Sequence, residues 1–572
     1  MSYNNLEGSI PSFSGAKDIV AIDLSFNGLI STINSTHWRN LTKLSYLRLG
    51  SNKLDGNIPS SLFSLPLLGT LELSSNQFSG PFAEISNVSS YLLSGLDLSS
   101  NNLEGPIPMS IFSLQGLINL DLSSNNLSGS FPPDCLHQLR YLSVLDLSHN
   151  NLFLTHDYTN FSYSSTSQLS DLRLVSLQLR TIPKFLRNQS NLGSLDLSDN
   201  QINGKIPNWI WSLSDLRYLN LSCNSLDSLE VPSINLSNLM YLDLHSNQFH
   251  GKIPIFPSLY SVYYLDFSRN YFSSPIPSTT GDMLVKTGLL SLSSNNLNGI
   301  IPESLCNSTS LKVLDLSNNS LSGTIPRCLT TMTTLAVLNL RRNNLTNVDE
   351  FSHTCSLEML DVSGNHIQGQ FLKSLVNCTR LEVLKQFDNR TISMFFEEHI
   401  HLIIDLAHNN FSGEVPGTAL TTWQAMRTSK DNAPWKIRNL QVEYGETYYQ
   451  VDTIMVSNNG LEMELVNILT IFTSVDFSCN KFNGSIPEEI GELKSLDALN
   501  LSNNAFTGAV PSSLSNLSEL KSLDLSKNKL SGQIPVELTK LTFLAFLNLS
   551  YNQLVGRIPS GAQFSTFDAA SF

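Results

Sequence analysis

Leucines recur along this chain in a fixed rhythm with polar positions between them. The stretch LKSLDLSKNKLSGQIPVELTKLTF, residues 520–543, shows the unit clearly. Leu520, Leu523 and Leu525 make an LxxLxL pattern, and Asn528, Leu530, Gly532, Ile534 and Pro535 follow at fixed offsets. Leu523 and Leu525 are two apart, so on a strand they point together into a core, while Asp524 between them points out. Asn528 ends the strand, where its amide can bond the backbone of neighbouring turns and form a buried but satisfied ladder. Gly532 permits a turn with positive φ. Ile534 returns to the core, and Pro535, lacking an N–H, stops strand pairing. Leu538 and Leu541 close the back of the turn.

The unit repeats about every 24 residues, which is the period of a leucine-rich repeat. The asparagine gives the register at Asn4, Asn27, Asn52, Asn76, Asn101, Asn125 and Asn150, and again from Asn200 through Asn224, Asn247, Asn270, Asn295, Asn319 and Asn343 to Asn365. One unit cannot bury its own apolar face, so stability must come from stacking on neighbours. The pattern therefore predicts an α/β repeat solenoid of about 22 units, with a concave parallel β-sheet inside and irregular or 3₁₀ turns outside.

Interruptions divide the chain. A Ser- and Tyr-rich loop covers 157–170, and Leu177 stands where the ladder asparagine belongs; a hydrophobe fills that site but makes no ladder bond. The N-terminal block runs over 1–413 and is irregular at 385–405, where Gln386 replaces a core leucine and the spacing shortens as in a compressed or deleted repeat. Over 414–470 the repeat disappears. This non-repeat island holds Trp423, Trp435, Tyr444, Tyr448 and Tyr449; long non-repeat loops are functional or disordered, and the aromatic content argues against disorder. Four repeats return over 471–560, at Asn480, Asn504, Asn528 and Asn552, and 561–572 reads as the start of a truncated C-terminal cap.

Composition narrows the partners. Net charge is −14, charged residues are only 14%, and no basic run appears, which disfavours nucleic acid. Eighteen N-x-S/T sequons favour a secreted path. Asn34, Asn87, Asn160, Asn188, Asn307, Asn377, Asn389, Asn483 and Asn516 are the glycosylation candidates, whereas Asn220, Asn500 and Asn548 arise from the repeat's own LNLS. There are seven cysteines. Cys306/Cys328 and Cys355/Cys378 are each about one repeat apart, and one strand step of about 4.8 Å lies near the Cα separation a disulfide accepts. Cys223 and Cys479 precede a ladder asparagine and read as unpaired. No signal peptide is visible, Met1 opens inside a repeat, and no apolar run reaches the ~18 residues of a membrane span.

No catalytic motif is present: no kinase glycine loop or HRD, no GxSxG, no HExxH. The EEHIH run at Glu397, Glu398, His399 and His401 reads as part of the irregular repeat rather than a metal site, and no cofactor is called for. Binding is the better reading. Outward positions between strand leucines are free to vary, and Asp is their default (Asp97, Asp146, Asp196). Departures are more informative: Arg48, Glu72, Tyr218, Tyr241, His245, Tyr264, Arg269, Arg341 and Arg342. Tyr and Arg are typical binding anchors. Tyr218, Tyr241 and Tyr264 share one offset in three successive repeats, which predicts an aromatic stripe, although Tyr is also simply a good strand residue.

The LxGxIP extension (GNIP, GPIP, GKIP, GTIP, GSIP, GQIP, GRIP) resembles the plant-specific leucine-rich repeat. A long block, an island and four repeats ending in GRIPSGAQFSTFDAASF resemble the ectodomain of plant receptor-like proteins. The island's TYYQ and GLEMELVNILTIFTSVDFSCN are most similar to the Verticillium-wilt resistance group. The resemblance implies a right-handed superhelix and a cell-surface receptor in immunity or development. Such a receptor sits at the plasma membrane with its ectodomain outside, and it senses a peptide or secreted pathogen protein. It works with an adaptor receptor kinase and a co-receptor kinase of the somatic-embryogenesis type. By position, the resemblance puts Asn500, Asp524, Lys527 and Tyr551 in co-receptor docking. The family's signal peptide, paired-cysteine cap, membrane helix and tail are not found in this sequence. A secreted inhibitor of a pathogen wall-degrading enzyme and a non-functional truncated fragment are the competing readings; the inhibitors share the repeat but lack an island.

Overall fold

Each LxL becomes a three-residue strand, and strands of successive repeats pair in parallel. The computed structural model describes all residues except 34–37, 39, 83, 86–91, 156–167, 231–236, 257–258, 368–373, 376, 386–402, 410, 422, 428–440, 445–446, 451–452, 459–460, 467–471 and 562. The chain divides into two units, Met1–His250 with Phe256–Val262, and Gly251–Ile255 with Tyr263–Phe572. In the first, strands run from Ala21–Asp23 and Tyr46–Arg48 to Tyr218–Asn220 and Tyr241–Asp243, with equivalent residues paired, as in Tyr46↔Thr70 and Tyr218↔Tyr241. The second unit repeats this ladder from Tyr264–Asp266 to Phe546–Asn548. The central leucine of each strand, such as Leu47, Leu71, Leu314 or Leu523, is fully buried.

The asparagine ladder forms as the pattern predicts. Asn76 Oδ1 accepts the Leu54 N–H at 3.0 Å, and its Nδ2 lies 3.0–3.1 Å from the carbonyls of Leu49, Leu73 and Ser74. One side chain thus serves two repeats, and a buried backbone group left unserved would cost about 1–3 kcal/mol. At the exception, Leu177 is buried and its side chain makes no ladder bond; its backbone N–H donates to Asn200 Oδ1 at 3.0 Å. The residue before the asparagine adopts the left-handed conformation in repeat after repeat, as Ser51 and Ser75 do at φ 53° and 52°. For a non-glycine residue this costs about 1–2 kcal/mol, and an inter-repeat bond offsets it, as from Ser51 N to Ser74 O at 2.9 Å.

Outside the main sheet the structure departs from the expected irregular turns. The residues after the asparagine form a second set of short parallel strands: Lys53–Gly56, Gln77–Pro81, Asn102–Gly105 and Asn126–Phe131. Their glycines make them possible, with Gly56 at φ 74° and Gly80 at φ 78°. The proline then ends pairing and opens a 3₁₀ turn, as Pro59 does before Ser60–Ser64 and Pro535 before Val536–Lys540. The α part of the expected α/β class is slight: described α-helical segments such as Thr280–Met283 and Arg327–Thr331 are single turns.

The ladder continues across both irregular stretches. Val383–Lys385 pairs directly with Ile403–Asp405, and that strand pairs with Ser474–Asp476. Asn480 accepts the Phe411 N–H at 3.1 Å and donates to Leu406 O at 2.8 Å, 69 and 74 residues back. The expected start of the island at 414 moves as a result. Val415, Leu420, Trp423 and Met426 are buried as the convex side of an ordinary repeat. Ser495 N bonds Met426 O at 2.9 Å, and Arg427 pairs with Glu492 at 2.7 Å. The described non-repeat structure consists of two antiparallel hairpins, Gln441–Tyr444 with Thr447–Gln450 and Thr453–Asn458 with Leu461–Val466. Cys306 is bonded to Cys328 and Cys355 to Cys378, each spanning one repeat on the convex side, while Cys135, Cys223 and Cys479 are free thiols.

Candidate functional site

On the first unit the outward strand positions are mostly polar and half-buried to exposed, with Asp243 buried as the exception. The repeated Asp is not a free outward carboxylate: Asp97 accepts both the N–H and the hydroxyl of Ser99, at 3.0 and 2.6 Å, closing the turn. Asp121 and Asp196 do the same. Burial, then the neighbouring anions, push the Asp121 carboxyl above its usual range. Arg48 lies on this face, its Nε 3.3 Å from Glu72, whose own carboxyl is raised by burial against the lowering effect of Arg48.

Tyr218 and Tyr241 are brought together. Their rings stack with centroids 4.2 Å apart and planes at 15°. Tyr218 OH lies 3.4 Å from Asp196 Oδ2 and Tyr241 OH 3.3 Å from Asp243 Oδ2. Burial, then the Asp196 charge, push the Tyr218 phenol up to about 12. The Tyr218 phenol therefore stays a neutral donor at physiological pH, and the two rings form a half-buried aromatic plate with anchored hydroxyls. His245 sits beside it, Nδ1 2.7 Å from Asp243 Oδ1. Tyr264 belongs to the second unit, where its hydroxyl donates to Asp266 at 3.4 Å.

The second unit's concave strands differ in a way that inspection of the sequence missed. At the first outward position Leu289, Val313, Val337, Met359, Val383 and Ile403 stand in one register across six successive strands. They are only 0–6% exposed. At the third position Asp315, Asp361, Lys385, Asp405 and Asp476 are also buried. Lys385 Nζ is 3.9 Å from Asp405 Oδ2. Burial, reinforced by Asp476, pushes the Asp405 carboxyl up to about 8, and burial lowers Lys385. Outward residues of a bare sheet are half exposed, as in the first unit, so this face is covered. The signal was legible as LKVLDLS, LAVLNLR and LEMLDVS, where an extra apolar residue precedes the inward leucine.

The other sequence candidates scatter. Arg269, Arg342, Lys527 and Tyr551 all occupy the left-handed corner before a ladder asparagine, at φ 52–56°, and are exposed. Arg341 is half-buried, its N–H on Asn339 Oδ1 at 3.3 Å. Of the four docking candidates, Lys527 and Tyr551 are available. Asp524 was expected to point out, but it is 8% exposed and holds the Ser526 N–H at 2.9 Å, and Asn500 bridges Asp476 and Ser502. Trp423 is a core residue, not an island surface. Tyr444, Tyr448 and Tyr449 lie on the first hairpin opposite Thr447, Glu443 and Val442, and Trp435 lies outside the described residues. Asn188, Asn307, Asn483 and Asn516 are exposed, Asn377 is half-buried with its Nδ2 on Phe351 O at 2.7 Å, and Asn34, Asn87, Asn160 and Asn389 lie outside the described residues.

Strand ladder, asparagine ladder and proline-capped turns define a leucine-rich-repeat protein. The leucine-rich-repeat family profile matches residues 92–152, 309–367 and 494–554, and a shorter profile of the same repeat matches 43–65, 191–213 and 289–308. Receptor-like protein 18 of Arabidopsis thaliana is 35% identical over 331 residues, covering 57% of this chain and 34% of that protein. Receptor-like protein 7 of the same plant is 39% identical over 352 residues, covering 59% and 36%. The matches thus span only about a third of these relatives' length. Among solved structures, the plant peptide hormone receptor RGFR1 in complex with RGF2 superposes with a TM-score of 0.70 at 26% identity, covering 98% of this chain and 86% of that one. The Arabidopsis receptor kinase HAESA in complex with the peptide hormone IDA and the co-receptor SERK1 gives 0.64 at 28% identity, covering 98% and 87%. The repeat profiles and these relatives support a plant leucine-rich-repeat receptor-like protein.

Proposed function

We propose that this chain is the ligand-recognition ectodomain of a plant cell-surface receptor-like protein. It takes a peptide or a secreted pathogen protein on the open concave face of the first unit and acts in immunity through partner kinases. The observation that carries the reading is the stacked Tyr218–Tyr241 plate, half-buried and hydroxyl-anchored beside His245. Rigid aromatic area with fixed donors binds peptide backbone at small entropic cost. The similar solved receptors, bound to the peptide hormones RGF2 and IDA, support a peptide as the ligand class. On the second unit, the buried apolar stripe supports a cover made by the hairpins at 441–450 and 453–466, which leaves recognition to uncovered strands. The exposed Lys527 and Tyr551 are the surface offered to a co-receptor.

The test is retention of peptides. The chain, secreted from plant cells and immobilised, is exposed to plant apoplastic fluid and to fungal culture filtrate, and retained peptides are read by mass spectrometry. Tyr218→Ala/Tyr241→Ala is expected to lose the specific peptides, since an anchor of this kind carries about 2 kcal/mol or more, roughly thirtyfold in affinity. Retention that does not change with the tyrosine pair refutes the site.

A further inference from the structure

The left-handed corner before the ladder asparagine is a cysteine twice, Cys223 at φ 53° and Cys479 at φ 55°, both free thiols. Their backbones match: Cys223 N donates to His245 O at 2.9 Å, and Cys479 N to Ser502 O at 2.9 Å. Their neighbours do not. Cys223 Sγ is exposed and lies 3.5 Å from His245 Nε2. The other ring nitrogen is 2.7 Å from Asp243 Oδ1. That carboxylate is 4% exposed and doubly fixed, by the His245 N–H at 3.0 Å and the Tyr241 hydroxyl at 3.3 Å. Cys479 meets the amide of Asn503 at 3.3 Å, which cannot take a proton. A nucleophile within reach of a base, with the base held by a third group, is the arrangement that activates a side chain.

We propose that Cys223, His245 and Asp243 form a reactive-thiol site that exchanges with small soluble disulfides. His245 Nε2 takes the thiol proton, and Asp243 holds the imidazolium through Nδ1–H. The Cys223 thiolate attacks one sulfur of R–S–S–R: the Cys223–S–S–R bond forms, the original S–S bond breaks, and the leaving thiolate recovers the proton from His245 as R–SH. Cys223 is oxidised and half of the reagent is reduced, so the step needs no other redox partner. The adduct lands one repeat from Tyr241, at the edge of the aromatic plate.

The probe is oxidised glutathione, added to the full chain, with adducts at Cys223, Cys479 and Cys135 followed by peptide mass spectrometry. A positioned base is expected to make Cys223 react faster than Cys479 by more than tenfold, the effect typically lying at about 10²–10⁴-fold. His245→Gln should bring Cys223 down to the Cys479 rate, with the Cys479 rate unchanged as a check on folding. Should that variant open the fold, Asn500→Asp/Ser502→His builds the same neighbours beside Cys479 and should speed that thiol by more than tenfold. A Cys223 to Cys479 ratio below tenfold overturns the assignment. So does a fast reaction that survives His245→Gln in the folded protein, or no gain at Cys479 in the rebuilt site.

Discussion

Val144 and Val313 occupy the same place in their repeats, the first outward position of a strand, yet they should answer the same substitution differently. Repeat logic treats both as surface. In the structure Val144 is half-buried, whereas Val313 is 0% exposed, in register between Leu289 and Val337. Val313→Asp loses the burial of a valine, about 1.5–3 kcal/mol, and puts a carboxyl among apolar side chains two residues from the already buried Asp315. The sum is on the order of 3–5 kcal/mol, even with the acid taking up a proton. Val144→Asp should stay within about 0.5 kcal/mol, as surface changes do. Stacked repeats need not unfold in one step, so the assay is native-state amide exchange, read at the strands carrying each substitution, with guanidinium unfolding beside it. Equal losses at the two sites would refute the covered face and return residues 289–403 to the list of open ligand positions.

Other outcomes follow from the same geometry. Asn528→Ala removes the acceptor of the Phe506 N–H and the donors to Leu501, Leu525 and Ser526; it should cost about 2–4 kcal/mol, measured by unfolding of the last repeats, and a loss under about 0.5 kcal/mol contradicts the ladder's energetic role. Asp405 has its carboxyl raised to about 8 by burial first and Asp476 second. The folded state therefore binds the proton more tightly than the unfolded chain, so this group's stabilising contribution is full below the ordinary carboxylate range and is lost as pH rises through about 8. Asp405→Asn keeps the acceptor for Ala407 N and should flatten the fall in thermal midpoint over that window; an unchanged pH profile rules the shift out. Lys385, lowered by burial, acts in the opposite sense at higher pH.

The inward leucines, the ladder asparagine and the proline-opened turns were legible because each is set by a local rule that repeats. The second sheet was not, because strands such as Thr507–Gly508 or Gln553–Leu554 are two residues long and exist only by pairing with neighbours. Asp524 read as outward because alternation gives direction but not cover, and its carboxylate is held by the Ser526 N–H and the Asn548 amide of the next repeat. The island's start was misplaced for a related reason: VPGTALTTWQAM lacks the leucine spacing, and Trp423 and Met426 fill the core that leucines fill elsewhere. At the site, the offset of Tyr218 and Tyr241 was readable, but their separate acceptors, Asp196 and Asp243, were not. The Cys223–His245 approach was hidden because the residues lie 22 apart and one position out of register.

Because Ile403–Asp405 pairs directly with Ser474–Asp476, the sheet is indifferent to what is threaded between Arg427 and that strand. Both ends of the detour are tied down, one through Ser495 to Met426 and the other through Thr473 to Asp497 at 3.0 Å. The detour then behaves as a closed loop whose entropy grows only logarithmically, by about 0.6 kcal/mol for each doubling of length. The joint is a docking port for sequence: a segment of different length or chemistry can be exchanged there while every hydrogen bond of the scaffold stays in place. A lineage, or an engineer, can rewrite the segment threaded there without renegotiating the solenoid beneath it.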